Sequence, residues 1–287
     1  MGRPMATNLL TAGYPVVVNS RSQGPVDDLV AAGATRAATP ADVARQTTRI
    51  FACLPDSPDV ERVMAGEQGV FSAMQPGTIV VDHSTIAPLV ARRLAAQAAV
   101  LGGAMLDAPI SGGDIGARAG TLSIMVGGDA RAFETVRPML DVMGNPEKVL
   151  RIGDAGAGQL CKACNQLVLG ATLAAVGEIF ALCRKADVDP ARVREALLGG
   201  FGASRVLEVH GERILTGNYV PGFRTALYAK DLRIAADALA SHDVPAPVSA
   251  VVRQLVTALM AAGRGDDDCS SLATVIFDLA KVEGAAA

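Results

Sequence analysis

The stretch "MGRPMATNLLTAGYPVVVNSRS", Met1–Ser22, places the end of a glycine turn, a helix and a strand in close succession. Met1-Gly2-Arg3-Pro4-Met5 is typical of the last step of a glycine-rich turn that leads directly into a helix, and Gly13 is predicted to end that helix. Val16–Asn19 is a short, β-branched run typical of a buried strand. This succession predicts an alternating α/β domain.

The same alternation continues to about Ile152, with strand-like runs that are rich in Val and Ile and end in Asn, Pro, Asp or Gly. The further predicted strands are Ile50–Leu54, Thr78–Asp82, Met105–Ala108, Leu122–Val126 and Val149–Ile152. The predicted helices between them are Asp27–Ala32, Pro40–Thr47, Asp59–Met64, Pro88–Leu101 and Ala130–Met143. This pattern predicts a Rossmann-like, doubly wound, mostly parallel sheet with helices on both faces.

After "GDAGAG", Gly153–Gly158, the pattern becomes helical throughout. The predicted helices are Gln159–Lys185, Pro190–Leu198, Lys230–Ser241, Pro247–Ala262 and Ser271–Val282. We therefore expect two domains, an α/β domain over residues 1–152 and an all-helical domain over residues 153–287 that is built on the long first helix.

Composition narrows the functional classes. The chain has 287 residues and a formal net charge of −3, which argues against nucleic acid or an anionic membrane as the main partner. The apolar stretch Gln166–Cys183 approaches the length of a membrane span, but it contains Glu178 and is predicted to be a buried core helix. No secretion signal is recognised. The 5 cysteines are odd in number and lie mostly inside apolar runs, which predicts buried thiols in a reducing compartment, by default the cytoplasm.

The end of the strand Val16–Asn19 predicts the cofactor. In a dinucleotide-binding unit, the pyrophosphate lies on a glycine turn at a helix N-terminus, and Gly2 fits the third glycine of that turn. An acidic residue at the end of the following strand would bind a ribose 2′-hydroxyl, whereas an arginine suits a 2′-phosphate. The chain has Asn19-Ser20-Arg21-Ser22 there, which favours NADP over NAD.

Several ordered motifs resemble one family. "DAPISGGDIGARAGTLSIMVGG", Asp107–Gly128, is similar to the substrate-binding signature of the β-hydroxyacid dehydrogenase family, and "GAGQLCKACNQ", Gly156–Gln166, to its catalytic-helix motif. "LPDSP" at 54–58, "DHSTIAP" at 82–88 and "KDL" at 230–232 resemble further landmarks in the same order. The resemblance covers essentially the whole chain and implies NAD(P)-dependent oxidation or reduction of a small hydroxyacid.

The start of the chain departs from that pattern. Members of the family begin with a strand and Gly-x-Gly-x-x-Gly, and this sequence begins at the end of that motif, at Met1-Gly2. A missing central strand would leave two strand edges unpaired and remove two phosphate-facing glycines. We therefore expect impaired cofactor binding and poor stability.

Lys162 is the predicted catalytic residue. It lies near the start of the long helix, and Asn165 and Gln166, three and four positions later, share its face. Reduction of an aldehyde requires a hydride at the carbonyl carbon and a proton at the oxygen, and an ammonium supplies that proton and stabilises the alkoxide. Partial burial and the neighbouring positively charged nicotinamide ring can lower the pKa of a lysine towards neutrality, which suits general acid and base catalysis.

Ser111-Gly112-Gly113 is predicted to bind a substrate carboxylate, because glycine permits close approach of backbone amides to an anion. Leu54-Pro55 and Ser84-Thr85 each follow a predicted strand, where ligands of open α/β sheets bind. The resemblance implies that Thr85 contacts the cofactor near the nicotinamide and that Lys230 closes over it. Asp231 is expected to orient Lys230 or to cap a helix.

Other candidate sites are given a structural interpretation. Cys161-x-x-Cys164 has the spacing of a redox or zinc pair but lacks a second matching pair, so no metal site is predicted. His83 is expected to satisfy a local hydrogen bond, and His210 and His242 to lie on the surface or at helix ends. Asp266-Asp267-Asp268 is interpreted as a helix cap.

The sequence thus predicts an oxidoreductase that transfers a hydride between NADP(H), or NAD(H), and a small β-hydroxyacid or its semialdehyde. Two alternatives remain open at this point: an imine reductase-like enzyme, which Lys162 argues against, and a non-catalytic dinucleotide-binding protein, which the shortened start favours. The apolar character of the long helix predicts a homodimer or homotetramer.

Overall fold

The computed structural model describes residues 1–283, so the last four residues of the Ala-rich tail and of the predicted 153–287 domain lie outside the described part. The chain divides into two compact units, Met1–Lys162 and a second unit that starts at Ala163. The first turns of the long helix therefore belong with the α/β unit, and the predicted boundary between residues 152 and 153 lies upstream of this division.

The first unit alternates short strands with helices. Its helices are α1 (Gly2–Thr11), α2 (Gln23–Ala31), α3 (Pro40–Gln46), α4 (Ser57–Ala65), α5 (Pro88–Val100), α6 (Gly113–Ala119) and α7 (Ala130–Met143). Its strands are β1 (Val17–Val18), β2 (Thr35–Arg36), β3 (Arg49–Ala52), β4 (Ile79–Asp82), β5 (Ala104–Asp107), β6 (Ile110–Ser111), β7 (Leu122–Gly127) and β8 (Gly144–Gly153).

Parallel pairing dominates the sheets. β1 pairs with β2, and β3, β4 and β5 run parallel in that order, while β7 is antiparallel to β5 and β6 and parallel to β8. Alternate residues of β4 pack into two different cores, Ile79 and Val81 with residues of α1 and α7, and Val80 with residues of α4 and α5. A strand buried on both faces is what a doubly wound sheet requires, so the predicted fold class is confirmed.

The predicted unpaired edges are also present in the described residues. β1 pairs with β2 alone, and β3 pairs with β4 alone. The expected loss of stability and of cofactor affinity stays a prediction.

The second unit is helical in its described residues. α8 (Ala157–Lys185) begins in the first unit and continues into the second, followed by α9 (Pro190–Leu198), α10 (Arg205–Thr216), α11 (Thr225–Ala240), α12 (Pro247–Ala261) and α13 (Leu272–Ala280). By length and composition α8 could cross a membrane, but half of its apolar window is buried, and Leu173 and Phe180 are fully buried in the core of this unit. The core-helix interpretation therefore accounts for its apolar character.

Four elements, β2, β6, α6 and α10, lie where no strand or helix is predicted. α11 also begins at Thr225, five residues before the predicted start at Lys230.

Candidate active site

The Lys162 side chain lies beside the start of the glycine-rich segment. Lys162 is in the second turn of α8 and is only 8% exposed, and its Nζ donates a hydrogen bond to the carbonyl oxygen of Ile110 at 2.9 Å. Ile110 directly precedes Ser111 in β6. The structure thus brings the predicted proton donor to the predicted carboxylate-binding segment.

Ser111, Gly112 and Gly113 form the end of β6 and the start of α6 rather than a plain turn. Gly112 has φ 133° and Gly113 has φ 63°, a backbone region that favours glycine. Both glycines are exposed, and Ser111 is half-buried. Side-chain-free backbone and a hydroxyl are therefore available to an anion at this position.

Asp107, which the sequence analysis did not select, fixes the start of α8. It ends β5, is 2% exposed, and accepts hydrogen bonds from the backbone N–H of Gly156 at 2.7 Å and of Gln159 at 2.8 Å. Burial raises the pKa of Asp107, and these N–H donors act in the opposite direction because they stabilise the carboxylate. An acid at a strand end just before "APISGG" was the available sequence signal.

Gln159 is a second residue that was not selected. Its side chain is 1% exposed, donates to the carbonyl oxygen of Ser84 at 2.8 Å and accepts from the N–H of Ile86 at 3.0 Å. The Ser84 hydroxyl in turn accepts from the N–H of Leu54 at 2.8 Å. The Gln159 side chain therefore connects α8 to the loop after β4. That loop is in turn hydrogen-bonded to the loop after β3.

The predicted cofactor residues of the first unit follow the carboxyl ends of parallel strands. Leu54 and Pro55 follow β3, Thr85 follows β4, and Asn19–Arg21 follow β1. The Arg21 side chain is 74% exposed, with its guanidinium 3.4 Å from the Asp59 carboxylate. This edge, with an exposed guanidinium beside the exposed Ser20, fits a dinucleotide with a ribose phosphate.

Gly2 and Asn19, two further predicted cofactor residues, also have contacts within the protein. A Cβ at Gly2 would meet only the Cβ of Cys53 at 3.6 Å, an ordinary contact, so crowding does not require glycine at the start of α1. The amide nitrogen of Asn19 donates to the carbonyl oxygens of Ala37 and Ala38, which follow β2. Asn19 therefore holds the loop after β1 in place.

His83 satisfies a local hydrogen bond, as its position at a strand end predicts. It is 2% exposed, its Nδ1 donates to the carbonyl oxygen of Ala108 at 2.7 Å, and its ring stacks on that of Phe51 with centroids 6.0 Å apart. Burial lowers the pKa of His83 to about 4, so the ring is neutral at pH 7.

The predicted residues of the second unit form a polar chain, of which Gln166 and Asp231 are buried. The Asn165 amide donates to Gln166 Oε1 at 2.8 Å, and Gln166 Nε2 donates to Asp231 Oδ2 at 2.6 Å. The other Asp231 oxygen lies 2.9 Å from Lys230 Nζ, which matches the expectation that Asp231 orients this lysine. Tyr228 adds a hydrogen bond from its hydroxyl to the Gln166 carbonyl oxygen. Gln166 is 1% exposed, and both ends of its side-chain amide are hydrogen-bonded within the unit.

His210 and most of the cysteines depart from their expected surroundings. His210 lies in the middle of α10, is partly buried, and approaches Asp268 to 3.5 Å, so the prediction of a surface or helix-end residue is wrong for it. Asp268 accepts from the N–H groups of Gly222, Phe223 and Ser270, which agrees with the predicted capping role. Cys183 and Cys269 are buried, whereas Cys53 and Cys161 are half-buried and Cys164 is exposed, so the prediction of buried thiols is wrong for these three.

Comparison with known proteins identifies the family. Residues 1–153 match the NAD binding domain of 6-phosphogluconate dehydrogenase, and residues 156–276 match the NAD-binding domain of NADP-dependent 3-hydroxyisobutyrate dehydrogenase. The chain belongs to the β-hydroxyacid dehydrogenase family. This membership confirms the predicted class of enzyme, an NAD(P)-dependent oxidoreductase that acts on the CH–OH group of a hydroxyacid.

Individual members of this β-hydroxyacid dehydrogenase family are similar over nearly the whole chain. The 2-hydroxy-3-oxopropionate reductase of Escherichia coli is 43% identical over 95% of this chain and 92% of its own. A solved structure of Mycobacterium tuberculosis 3-hydroxyisobutyrate dehydrogenase with L-serine superposes with a TM-score of 0.88 at 31% identity, covering 96% of this chain and 95% of the other. An imine reductase from Myxococcus stipitatus, with 19% identity, a TM-score of 0.63 and 96% of each chain covered, shares the fold alone. The comparisons therefore favour the hydroxyacid class over imine reduction.

Proposed function

We propose that this protein interconverts a small 2-substituted 3-hydroxypropanoate and its 3-oxo form with NADP(H), and that Lys162 is the general acid and base. The observation that carries the proposal is the buried Lys162 amine, hydrogen-bonded at 2.9 Å to the carbonyl oxygen of the residue before Ser111. A cation at that position lies beside a segment suited to a carboxylate and within reach of a reacting oxygen on the same small molecule.

The substrate skeleton follows from the similar proteins. 2-Hydroxy-3-oxopropionate, 3-hydroxyisobutyrate and L-serine share a three-carbon chain with a carboxylate at one end and an oxygen on the third carbon. The third carbon is an aldehyde in 2-hydroxy-3-oxopropionate and an alcohol in the other two, and the second carbon carries a hydroxyl, a methyl or an amino group. The shared carboxylate is the group that Ser111, Gly112 and Gly113 are assigned to bind.

The chain's residues divide the chemical work. Bound NADP(H) supplies or accepts the hydride. In the direction of reduction, the Lys162 ammonium donates a proton to the carbonyl oxygen and stabilises the developing alkoxide, and in the direction of oxidation the neutral amine removes that proton. We assign to Asn165, on the same helix, the role of orienting the groups between which this proton is transferred.

The remaining residues are assigned to cofactor and substrate binding. We assign to cofactor binding the residues Gly2, Asn19, Ser20, Leu54, Pro55, Thr85 and Lys230. Gln166 is assigned to substrate binding through its support of Asn165. Arg21 is assigned to the 2′-phosphate, because its guanidinium is largely exposed and engages Asp59 only at 3.4 Å. This assignment favours NADP over NAD.

We also propose a cytoplasmic homodimer or homotetramer. The second unit exposes large apolar side chains on three helices, Val168 and Leu182 on α8, Val248 and Val251 on α12, and Leu279 on α13. Association of subunits through these side chains would remove them from water. None of the five cysteines, all within the described residues, forms a disulfide, which suits a reducing compartment.

The experiment is a set of initial rates with NADPH and three aldehydes. We expect turnover of 2-hydroxy-3-oxopropionate and of 2-methyl-3-oxopropanoate, and a kcat/KM at least about 100-fold lower for glyceraldehyde, in which a hydroxymethyl group replaces the carboxylate. The Lys162→Met variant should lose turnover, and the exposed Lys148→Met control should retain it. Equal use of glyceraldehyde would contradict carboxylate recognition, and full activity of Lys162→Met would contradict the assigned mechanism.

A further inference from the structure

We propose that Asp107 and Gln159 are positioning residues that set where the Lys162 amine stands relative to the loops after β3, β4 and β5. The proposal rests on the function proposed for Lys162. It is carried by hydrogen bonds within the first unit, which join α8 to the end of β5 and to the loop after β4, and through Ser84 to the loop after β3.

Asp107 holds the backbone of the first turn of α8. The first N–H groups of a helix have no partner within that helix. Here the N–H groups of Gly156 and Gln159 are bound by the two oxygens of one buried carboxylate, which comes from the end of β5, 49 and 52 residues earlier in the chain. Two short bonds to one rigid group fix both the position and the direction of the helix start.

Gln159 holds the same turn from its side chain. Its amide pairs with the Ser84 carbonyl oxygen and the Ile86 N–H, and both ends of the amide are used in the dry interior. Because Lys162 follows Gln159 by less than one helical turn, a displacement of this turn displaces Lys162 with it. The lysine amine is then fixed at its far end by the Ile110 carbonyl oxygen.

Two glycines make this close approach possible. A Cβ on Gly158 would lie 2.3 Å from the Met125 carbonyl oxygen and 2.6 Å from that of Asp107. A Cβ on Gly127 would lie 2.5 Å from the Asp107 carboxylate and 2.7 Å from the Gly158 nitrogen. The backbone around Asp107 is thus built to admit the helix start at a distance that a side chain would not allow.

The arrangement acts on the rate rather than on affinity. A displacement of about 1 Å in a catalytic group can lower a rate about 100-fold while substrate binding changes little. Asp107→Asn keeps the size of the side chain but replaces one acceptor oxygen with an NH₂ group that faces a backbone donor. We expect it to lower kcat by about 10- to 100-fold with a small change in KM.

The test is a double-mutant cycle on the single-turnover rate constant, measured at saturating NADPH and 2-hydroxy-3-oxopropionate. If Asp107 acts through Lys162, Asp107→Asn lowers the rate in the wild-type chain but by less than about twofold in the Lys162→Met chain. An equal loss in both backgrounds would overturn the proposal, because it would show a general structural effect. If Lys162→Met alone leaves the rate unchanged, the proposed function fails first, and the two failures are thereby distinguished.

A matched control and a second variant complete the experiment. Asp129 also caps a helix, with its carboxylate accepting from the Ala132 N–H at 2.8 Å, so Asp129→Asn makes the same substitution at the start of α7 and should leave kcat unchanged. If Asp107→Asn does not fold, Gln159→Met gives the same cycle, because methionine has a similar size and neither hydrogen bond. An additive Gln159→Met effect would then overturn the proposal.

Discussion

Neutral His83 makes the stability of this protein depend on pH in a predictable way. Its ring is 2% exposed, donates to the Ala108 carbonyl oxygen, and stacks on Phe51. Burial lowers the pKa of His83 from 6.5 to about 4. Between those values the unfolded chain binds a proton that the folded chain does not.

The sign and magnitude follow from this difference in proton binding. Stability rises with pH wherever the unfolded state binds more protons, so the free energy of unfolding falls as pH drops from about 6.5 to about 4. A full shift of 2.5 pKa units corresponds to about 3 kcal/mol, and the part lost between pH 7 and pH 5 is about 2 kcal/mol.

Urea unfolding at pH 7 and pH 5 measures this contribution. The wild-type chain should lose about 2 kcal/mol more between the two pH values than a His83→Gln variant, in which this titration is absent. His242→Gln, which removes an exposed histidine, should keep the wild-type dependence. Equal pH dependence of the wild type and His83→Gln would show that His83 does not cause the loss of stability, as would a protonated His83 at pH 6 in a nitrogen NMR spectrum.

Three further outcomes are expected. Gly158→Ala should lower the thermal midpoint, at a cost of about 1–3 kcal/mol in stability, because its Cβ would lie 2.6 Å from the Asp107 carbonyl oxygen; thermal unfolding measures this. Asp268→Asn should destabilise the chain by about 3 kcal/mol in urea unfolding at pH 7, because it replaces one oxygen of a buried carboxylate whose two oxygens accept from three backbone N–H groups. Hydrogen bonds from its neighbours hold the pKa of Asp268 below its usual range, so its stabilising contribution should decline as pH falls below about 3.9. Arg21→Ala should raise KM for NADPH about 10-fold with little effect on NADH, whereas Arg205→Ala, another exposed arginine, should change neither; equal effects on both cofactors would contradict the assignment.

Sequence patterns captured the elements that bury continuous apolar runs. β4 and the long helix α8 were predicted because their sequences are rich in Val, Ile and Leu in the patterns of a strand and a helix. Burial of these side chains is what stabilises both elements. α6 was not predicted, because "GGDIGARAG" has low helix propensity and signals a turn. Its two buried residues, Gly116 and Ala117, show that close packing compensates for that low propensity.

The sequence of α10 carries an N-cap and a buried face at helical spacing. Ser204 accepts from the Leu207 N–H as an N-cap, and Leu207, Gly211 and Ile214 recur at helical spacing on its buried face. This pattern is sufficient to predict a helix. The two-residue strand β2 offered no comparable pattern, because both of its residues are exposed.

The candidate site divides in the same way. Lys162 and Ser111 stand in continuous sequence motifs and could be selected as candidate site residues from the sequence. Asp107 and Gln159 could not be assigned a role, because their function depends on partners 49 to 75 residues away that only the folded sheet brings together. A buried carboxylate that binds backbone N–H groups has no local sequence signature beyond its place at a strand end.

The central claim is that the Lys162 amine transfers the proton. The most direct measurement is the single-turnover rate constant of NADPH oxidation by Lys162→Met and by the wild type, at saturating aldehyde and with NADPH affinity measured separately. We expect a rate about 100- to 10,000-fold lower with unchanged NADPH affinity. A rate within about threefold of the wild type would contradict it.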